Sequence, residues 1–149
     1  MHSSQPFEPA LFEAIVEQIP DAVVFADRDG VIRIWNRGAE AVFGFSANEV
    51  LGQSLDVIVP ERLRAAHWVA FRRAVDGGRT RLANQVRTTR SLHKDGRKLY
   101  VDLSFAVITG AAGEAAGAVA VGRDCSERYL SDKALRDRLT TLEGKQGSM

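Results

Sequence analysis

The first third of the chain changes from a helical to a strand-like hydrophobic pattern. Apolar residues between positions 11 and 19 recur every three or four residues, which predicts an amphipathic helix that ends at Pro20. Two β-branched and aromatic runs follow within residues 22–35, on either side of Asp29 and Gly30. An Asp-Gly pair tolerates the positive φ angles of a tight turn, so this segment predicts a β-hairpin.

Short helices are predicted after the hairpin. Asn36 precedes a short apolar segment and predicts an N-cap, while Ser46 and Glu49 have the spacing of a capping box. A longer amphipathic helix is predicted to open at Pro60, because a proline at the first helical position loses no hydrogen bond. The same helix is predicted to close at Gly77–Gly78.

The second half of the chain returns to a strand pattern. Three strand-like runs lie between residues 82 and 124, separated by Asp95–Gly96 and by a small-residue turn at Gly110–Gly117. These runs predict an antiparallel meander. Helices between a hairpin and a meander predict an α+β fold, with short helices on one face of a five-stranded antiparallel sheet.

Composition indicates one soluble domain. The chain has 149 residues and 45% hydrophobic content, which is enough for one core and too little for two. No apolar run approaches the ~20 residues that span a bilayer, and the N-terminus lacks the pattern of a secretory signal. We therefore expect a cytoplasmic protein with no membrane partner. Cys125 is the only cysteine, so an internal disulfide or a cysteine-rich metal site is not expected.

Charged residues are distributed in blocks. Residues 1–60 carry nine acidic and three basic side chains, whereas residues 61–100 carry eleven basic and three acidic ones. The basic block is interpreted either as solvated surface or as a contact for phosphates, an acidic partner or cofactor carboxylates. No aromatic stacking pattern or recognition helix accompanies the arginines, so no nucleic-acid partner is expected.

Three segments resemble the PAS sensory domains, and the resemblance extends over about residues 10–128. Residues 21–60, 92–108 and 117–128 are similar to the strand, helix and exit signatures of that family. The resemblance implies a sheet in the order 2-1-5-4-3 and a pocket between its inner face and the middle helices. It also implies a sensing or docking role rather than catalysis.

His67 lies in the middle of the long predicted helix, on its apolar face. Leu63 and Phe71 lie four residues away on either side, so the imidazole is predicted to point toward the core. A buried imidazole needs a partner. Two alternatives satisfy it: a neutral histidine that is hydrogen-bonded within the core, or an axial ligand of haem.

The region around His67 resembles the haem-binding PAS oxygen sensors. Those sensors carry Pro-Glu near the start of this helix, as Pro60–Glu61 does here, and a histidine placed as His67 is. The correspondence runs without a gap from Pro60 to Gly96. The resemblance implies that His67 is the metal ligand if haem b is bound, and that Arg73 approaches a haem propionate.

The same resemblance assigns residues on the later strands. Arg87 matches a distal arginine, and Leu103 and Phe105 match apolar positions that wall the distal side. Phe71, one helical turn after the histidine, completes the candidate cofactor-binding set. Period-two alternation leaves open whether Arg87 or its neighbour Val86 points inward.

Other chemistries lack the residues that they need. The flavin-based light-sensing relatives use a reactive cysteine on a middle helix, whereas Cys125 lies near the end of the last strand, where it is interpreted as a packed residue. His2 and His93 are expected on solvated surface, so no non-haem metal site is predicted. No phosphate-binding loop, paired carboxylates or nucleophile motif is found, and the chain is not predicted to be an enzyme.

Both ends of the chain carry an amphipathic helix that needs a covering surface. The resemblance implies an N-terminal helix over residues 1–20, a PAS domain over 21–128, and a C-terminal signalling helix and tail over 129–149. We expect a homodimer whose interface includes the first helix, with residues Leu11, Phe12 and Ile15. An unidentified output domain or signalling protein is the expected downstream partner.

The sequence favours a sensory module that binds a small ligand or cofactor in an apolar pocket and relays the change through its terminal helices. A ligand-free docking or dimerisation module is the first alternative. A packed interior behind Phe71, Leu103 and Phe105 is the feature that favours this alternative. A haem-based gas or redox sensor is the second alternative.

Overall fold

The structure, a computed structural model, describes residues 8–79 and 85–147. Predicted segments that include residues 1–7, 80–84 and 148–149 extend outside this part. The described helices are α1 (Pro9–Gln18), α2 (Arg37–Phe43), α3 (Ala47–Val50), α4 (Arg64–Gly77) and α5 (Ser126–Gly147). The strands are β1 (Ala22–Asp27), β2 (Ile32–Trp35), β3 (Val86–Leu92), β4 (Lys98–Thr109) and β5 (Ala115–Asp124).

The five strands form one sheet in the order β2-β1-β5-β4-β3. Every neighbouring pair is antiparallel. The hairpin and the meander join because β5 runs along β1, from the pair Ala22–Gly122 to the pair Asp27–Gly117. The predicted α+β fold and the predicted strand order are therefore confirmed.

Strand register divides the side chains between two faces of the sheet. Directly paired residues share a face, so Leu103 lies on the same face as its partners Arg87 and Gly122. Leu99 and Val101 belong to this inner face, where they are buried in the core beneath the helices. Residues of opposite parity on these strands belong to the outer face.

Side-chain hydrogen bonds confirm the two predicted helix N-caps. Asn36 accepts the N–H of Ala39 at 2.9 Å in the first turn of α2. Ser46 and Glu49 form the reciprocal bonds of a capping box at the start of α3, at 3.3 and 2.9 Å. These local polar contacts stabilise helices that are too short to form alone.

Asn36 also joins α1 to the sheet, a role that goes beyond its cap. The residue is only 1% exposed, and its Oδ1 accepts a second hydrogen bond, from the N–H of Val23 on β1 at 2.8 Å. Its Nδ2 donates to three carbonyl oxygens at and beyond the end of α1, those of Val16, Ile19 and Asp21. One buried amide therefore satisfies backbone groups from α1, β1 and α2.

The long middle helix begins later than predicted. Pro60 has an extended backbone, with φ −53° and ψ 138°, and a 3-10 turn at Glu61–Leu63 follows before α4 starts at Arg64. The predicted opening at Pro60 is therefore wrong, because the fixed φ of proline suits this extended conformation as well as a helix. The predicted end is confirmed, since Gly78 follows α4 in the left-handed region with φ +69°.

The turn between β1 and β2 places a glycine against the middle helix. Gly30 has the positive φ that the Asp-Gly pair predicts, at +78°. A Cβ at this position would overlap the six-membered ring of Trp68 on α4. The missing side chain therefore makes room for an indole, and the hairpin contacts the helix that carries His67.

The two terminal helices of the described chain present apolar side chains to solvent. Leu11 and Ile15 on α1 are 43% and 48% exposed. On α5, four leucines are more than half exposed: Leu130, Leu135, Leu139 and Leu142. Within the described ranges, no helix combines the length and the apolar composition that crossing a bilayer requires.

Candidate ligand-binding site

A cavity of about 430 Å³ lies between the inner face of the sheet and α4. It exists because small side chains face each other across the core. Alanines from the sheet meet alanines from α4 on the opposite wall: Ala26, Ala118 and Ala120 against Ala66, Ala70 and Ala74. Four of the predicted site residues line it, namely His67, Phe71, Leu103 and Phe105.

The interior behind these aromatic and aliphatic side chains is therefore open rather than packed. Sequence reasoning did not identify the alanines as the residues that open the cavity, although their signal is visible as alternation in GAVAVG and as helical spacing in RAAHWVAFRRAV. The cavity volume falls within the ~300–1,000 Å³ typical of small-molecule sites. Its lining is apolar apart from a few side chains, which is the usual composition of such a site.

His67 is the polar group on the helical wall of the cavity. Its Nδ1 is buried and has no hydrogen-bond partner among the described residues. Burial lowers the pKa of His67 below its usual value, and the carboxylate of Asp56 opposes this shift only in part. The ring is therefore a neutral imidazole at neutral pH, with an unused nitrogen inside an apolar wall.

Aromatic contacts fix the ring of His67. Trp68 meets it edge-on, with ring centroids 4.8 Å apart, and Phe71 lies at 6.0 Å. Trp68 is itself held, because its Nε1 donates to Asp56 Oδ1 at 2.8 Å and its ring occupies the space at Gly30. The Asp56 carboxylate accepts this bond from Trp68 and none from Nδ1 of His67.

The two predicted arginines are both exposed and lie on different elements, outside the cavity lining. Arg87 pairs with Leu103 in the β3–β4 ladder, so register places it on the inner face and Val86 on the outer face. The Arg87 side chain is exposed, does not line the cavity, and forms no hydrogen bond or ion pair within the described chain. Arg73 is an exposed residue of α4 that also lies outside the cavity lining.

The edge strand adds polar residues that sequence reasoning missed. Thr89 and Ser91 line the cavity from β3, on the same face as Arg87, and Ser91 is buried. Arg90 also borders it, but its pairing with Tyr100 places its side chain on the outer face. The sequence RTTRSL carried a signal for them, because Thr89 and Ser91 lie two and four residues after Arg87 and so share its face of the strand.

Two other reactive residue types lie away from the cavity. His93 was expected on solvated surface, but its side chain is only 16% exposed, because it packs over Gly44 at the end of α2. Cys125 is buried as predicted, and burial raises the pKa of its thiol, which disfavours the reactive thiolate. No cluster of metal-ligating side chains is found among the described residues.

Comparison with known proteins identifies the family. A family model described as PAS fold matches residues 10–125, and this chain belongs to the PAS family. The PAS domain from Colwellia psychrerythraea has a similar structure, with a TM-score of 0.68 and 24% identity. That comparison covers 79% of this chain and 97% of the other. The PAS fold is a sensory and regulatory fold.

Two curated sensor proteins are similar in sequence. The oxygen sensor protein DosP of Escherichia coli is 29% identical over 98 residues, which are 66% of this chain and 12% of DosP. The sensor protein FixL of Bradyrhizobium diazoefficiens is 37% identical over 54 residues, 36% of this chain and 11% of FixL. The chain thus spans about one eighth or less of each relative.

Proposed function

We propose that this PAS domain senses a small molecule that occupies the cavity and contacts His67. The observation that carries the proposal is the buried Nδ1 of His67, which faces no partner in the described chain. A buried polar atom without a hydrogen bond costs roughly 1–3 kcal/mol and is uncommon in folded proteins. An occupant that pairs with this nitrogen, once the ring turns it toward the cavity, would remove this cost and gain affinity from the apolar walls.

Haem b is the occupant that we propose. A neutral imidazole is a common axial ligand of haem, and burial keeps His67 neutral. Phe71, Leu103 and Phe105 offer apolar walls and exclude water. Bound haem supplies an iron that can take up diatomic gases.

The two arginines would contact the edge of this cofactor. Arg87 carries five N–H donors on the cavity side of the sheet and has no partner in the described chain. Arg73 offers a positive charge on the helix that carries His67. The similarity to a protein described as an oxygen sensor supports a gas as the signal.

Haemin titrated into the purified protein tests this proposal. We expect one-to-one binding and a sharp Soret band that shifts on reduction and again with carbon monoxide. His67→Ala should abolish that spectrum, because it removes the imidazole. Arg87→Ala should retain the cofactor and change oxygen affinity, because the guanidinium donates hydrogen bonds without holding the iron.

His93→Ala provides the matched control, since it removes a histidine that lies outside the cavity and should leave the spectrum unchanged. The same weak, broad spectrum from wild type and His67→Ala would overturn the haem proposal. His67 would then be a core histidine. The ligand-free docking alternative receives less support, because the interior behind Phe71 contains a cavity rather than packed side chains.

We also propose that the chain forms a homodimer through α1. The exposed apolar face of α1, which includes Leu11, Phe12 and Ile15, supports this assembly. An output domain or signalling protein that contacts α5 is part of the same proposal, as are the domain boundaries at residues 20 and 128. A cytoplasmic location and the lack of a nucleic-acid partner remain predictions.

Sedimentation analysis at tens of micromolar should show a dimer, and removal of residues 1–19 should weaken it. Ile15→Glu should have the same effect, because it places a charge within the apolar face. Val69→Glu is the matched control, since Val69 on α4 is an apolar residue outside α1 that is also about half exposed or more, at 58% against 48% for Ile15. A wild-type monomer, or equal effects of the two substitutions, would contradict the proposed interface.

A further inference from the structure

The outer face of the sheet carries a polar cluster at the start of α5. Asp102 on β4 accepts hydrogen bonds from Thr88 Oγ1 at 2.7 Å, from Cys125 Sγ at 3.4 Å, and from Arg128. Its side chain is only 20% exposed. The guanidinium of Arg128 holds the pKa of Asp102 below its usual range, so the carboxylate stays charged at neutral pH.

The polar contacts that the structure describes between α5 and the sheet come from the first turn of the helix. Tyr129 stacks on Tyr100 of β4 with ring centroids 3.9 Å apart, and Ser126 Oγ accepts the N–H of Tyr100 at 2.9 Å. From Leu130 onward, every described side chain of α5 is exposed. Within the described ranges, the pair Arg128–Asp102 is the one ion pair between α5 and the sheet.

The same strand pair also forms part of the cavity wall. Thr88 pairs with Asp102 in the β3–β4 ladder, and the next pair along is Arg87 with Leu103. Leu103 faces the cavity on the inner face, whereas Asp102 faces α5 on the outer face. Two consecutive residues therefore contact the candidate site on one side and the first turn of α5 on the other.

We propose that Asp102 is the positioning residue through which an occupant of the cavity controls how α5 docks on the sheet. This inference rests on the proposed function, since it needs an occupant. A group that displaces Leu103 also moves Asp102, because one peptide bond joins them. Hydrogen bonds weaken steeply with distance and angle, so a shift of Asp102 breaks its contact with Arg128 and α5 is released.

Hydrogen–deuterium exchange of α5 tests the inference. We expect haemin to raise the exchange rate of residues 126–143 in wild type by about fivefold or more, the lower end of typical couplings between sites. Asp102→Asn should show the raised rate without haemin and little further change with it. The amide keeps an acceptor for Thr88 and Cys125 but removes the charge that holds Arg128.

A matched carboxylate control lies on α5 itself. Asp137 pairs with Lys133 within the helix at 3.0 Å and does not contact the sheet, so Asp137→Asn should leave the response to haemin intact. Arg128→Leu, at an exposed position, should reproduce Asp102→Asn and serves if that variant does not fold. Equal responses of wild type and the folded Asp102→Asn or Arg128→Leu variant would overturn the proposal.

A substitution can stand in for the occupant. If wild type takes up no haemin, the haem proposal fails, and Leu103→Trp fills the cavity beside Asp102 instead. Leu103→Trp should then raise the exchange rate of α5 in the wild-type background and not in the Asp102→Asn background. An unchanged rate in both backgrounds would overturn the coupling by itself.

Discussion

Replacement of Asn36 by Asp is expected to lower the free energy of unfolding by roughly 3–5 kcal/mol at pH 7. The side chain keeps its shape, so the N–H groups of Val23 and Ala39 retain their acceptor. The second oxygen, however, replaces an amide that donates to three carbonyl oxygens around the end of α1. A buried negative charge would then face only acceptors.

Denaturant unfolding at pH 7 and pH 5 measures this effect. The loss should be smaller at pH 5, because a protonated carboxyl can donate to one of the three carbonyls. Asn48→Asp makes the same chemical change at an exposed position of α3 and should shift stability by less than about 0.5 kcal/mol. Similar losses in the two variants would show that Asn36 does not hold α1 and β1 together.

Replacement of Gly30 by Val should lower the free energy of unfolding by roughly 2–4 kcal/mol. Two terms contribute: a β-branched residue is strained at φ +78°, and its Cβ would overlap the ring of Trp68. Gly52 separates the two terms, since it has φ +85° but no neighbour within 4 Å of an added Cβ. Gly52→Val should therefore show the backbone strain alone, at roughly 1–2 kcal/mol.

A double-mutant cycle measures the contact with Trp68 directly. In a Trp68→Leu background the smaller side chain leaves room, so Gly30→Val should cost no more than Gly52→Val. Thermal or urea unfolding of the four variants gives the comparison. If Gly30→Val lowers the free energy of unfolding equally with and without Trp68, the turn does not interact with the helix that carries His67.

Much of the fold could be predicted from the sequence, because the residues that specify its caps and turns are close together in the chain. The caps at Asn36 and Ser46 and the turn at Gly30 depend on residues a few positions apart, and the structure confirms them. The start of α4 was not readable from Pro60, because a fixed φ fits both an extended residue and a helical one. The bonds of Asn36 to the end of α1 depend on packing that no local pattern encodes.

Site residues could be predicted from the sequence where periodicity alone decides which way a side chain points. Helical spacing placed His67 and Phe71 on the inner side of α4, and both line the cavity. Arg87 was undecidable, since alternation offers two faces and only pairing with β4 selects one. The role of the alanines was not predicted, because their spacing shows which side chains share a face but not that alanines of α4 and of the sheet lie opposite each other. The burial of His93 depends on Gly44, which follows α2 and is distant in sequence.

The attachment of α5 by one turn gives the helix the mechanics of a lever. Its 22 residues span about 33 Å from the anchored end, at 1.5 Å per residue. A tilt of about 10° at the anchor moves the far end sideways by about 6 Å. A displacement of about one ångström in the first turn of α5 therefore becomes one several times larger at the far end, where Leu139 and Leu142 are exposed.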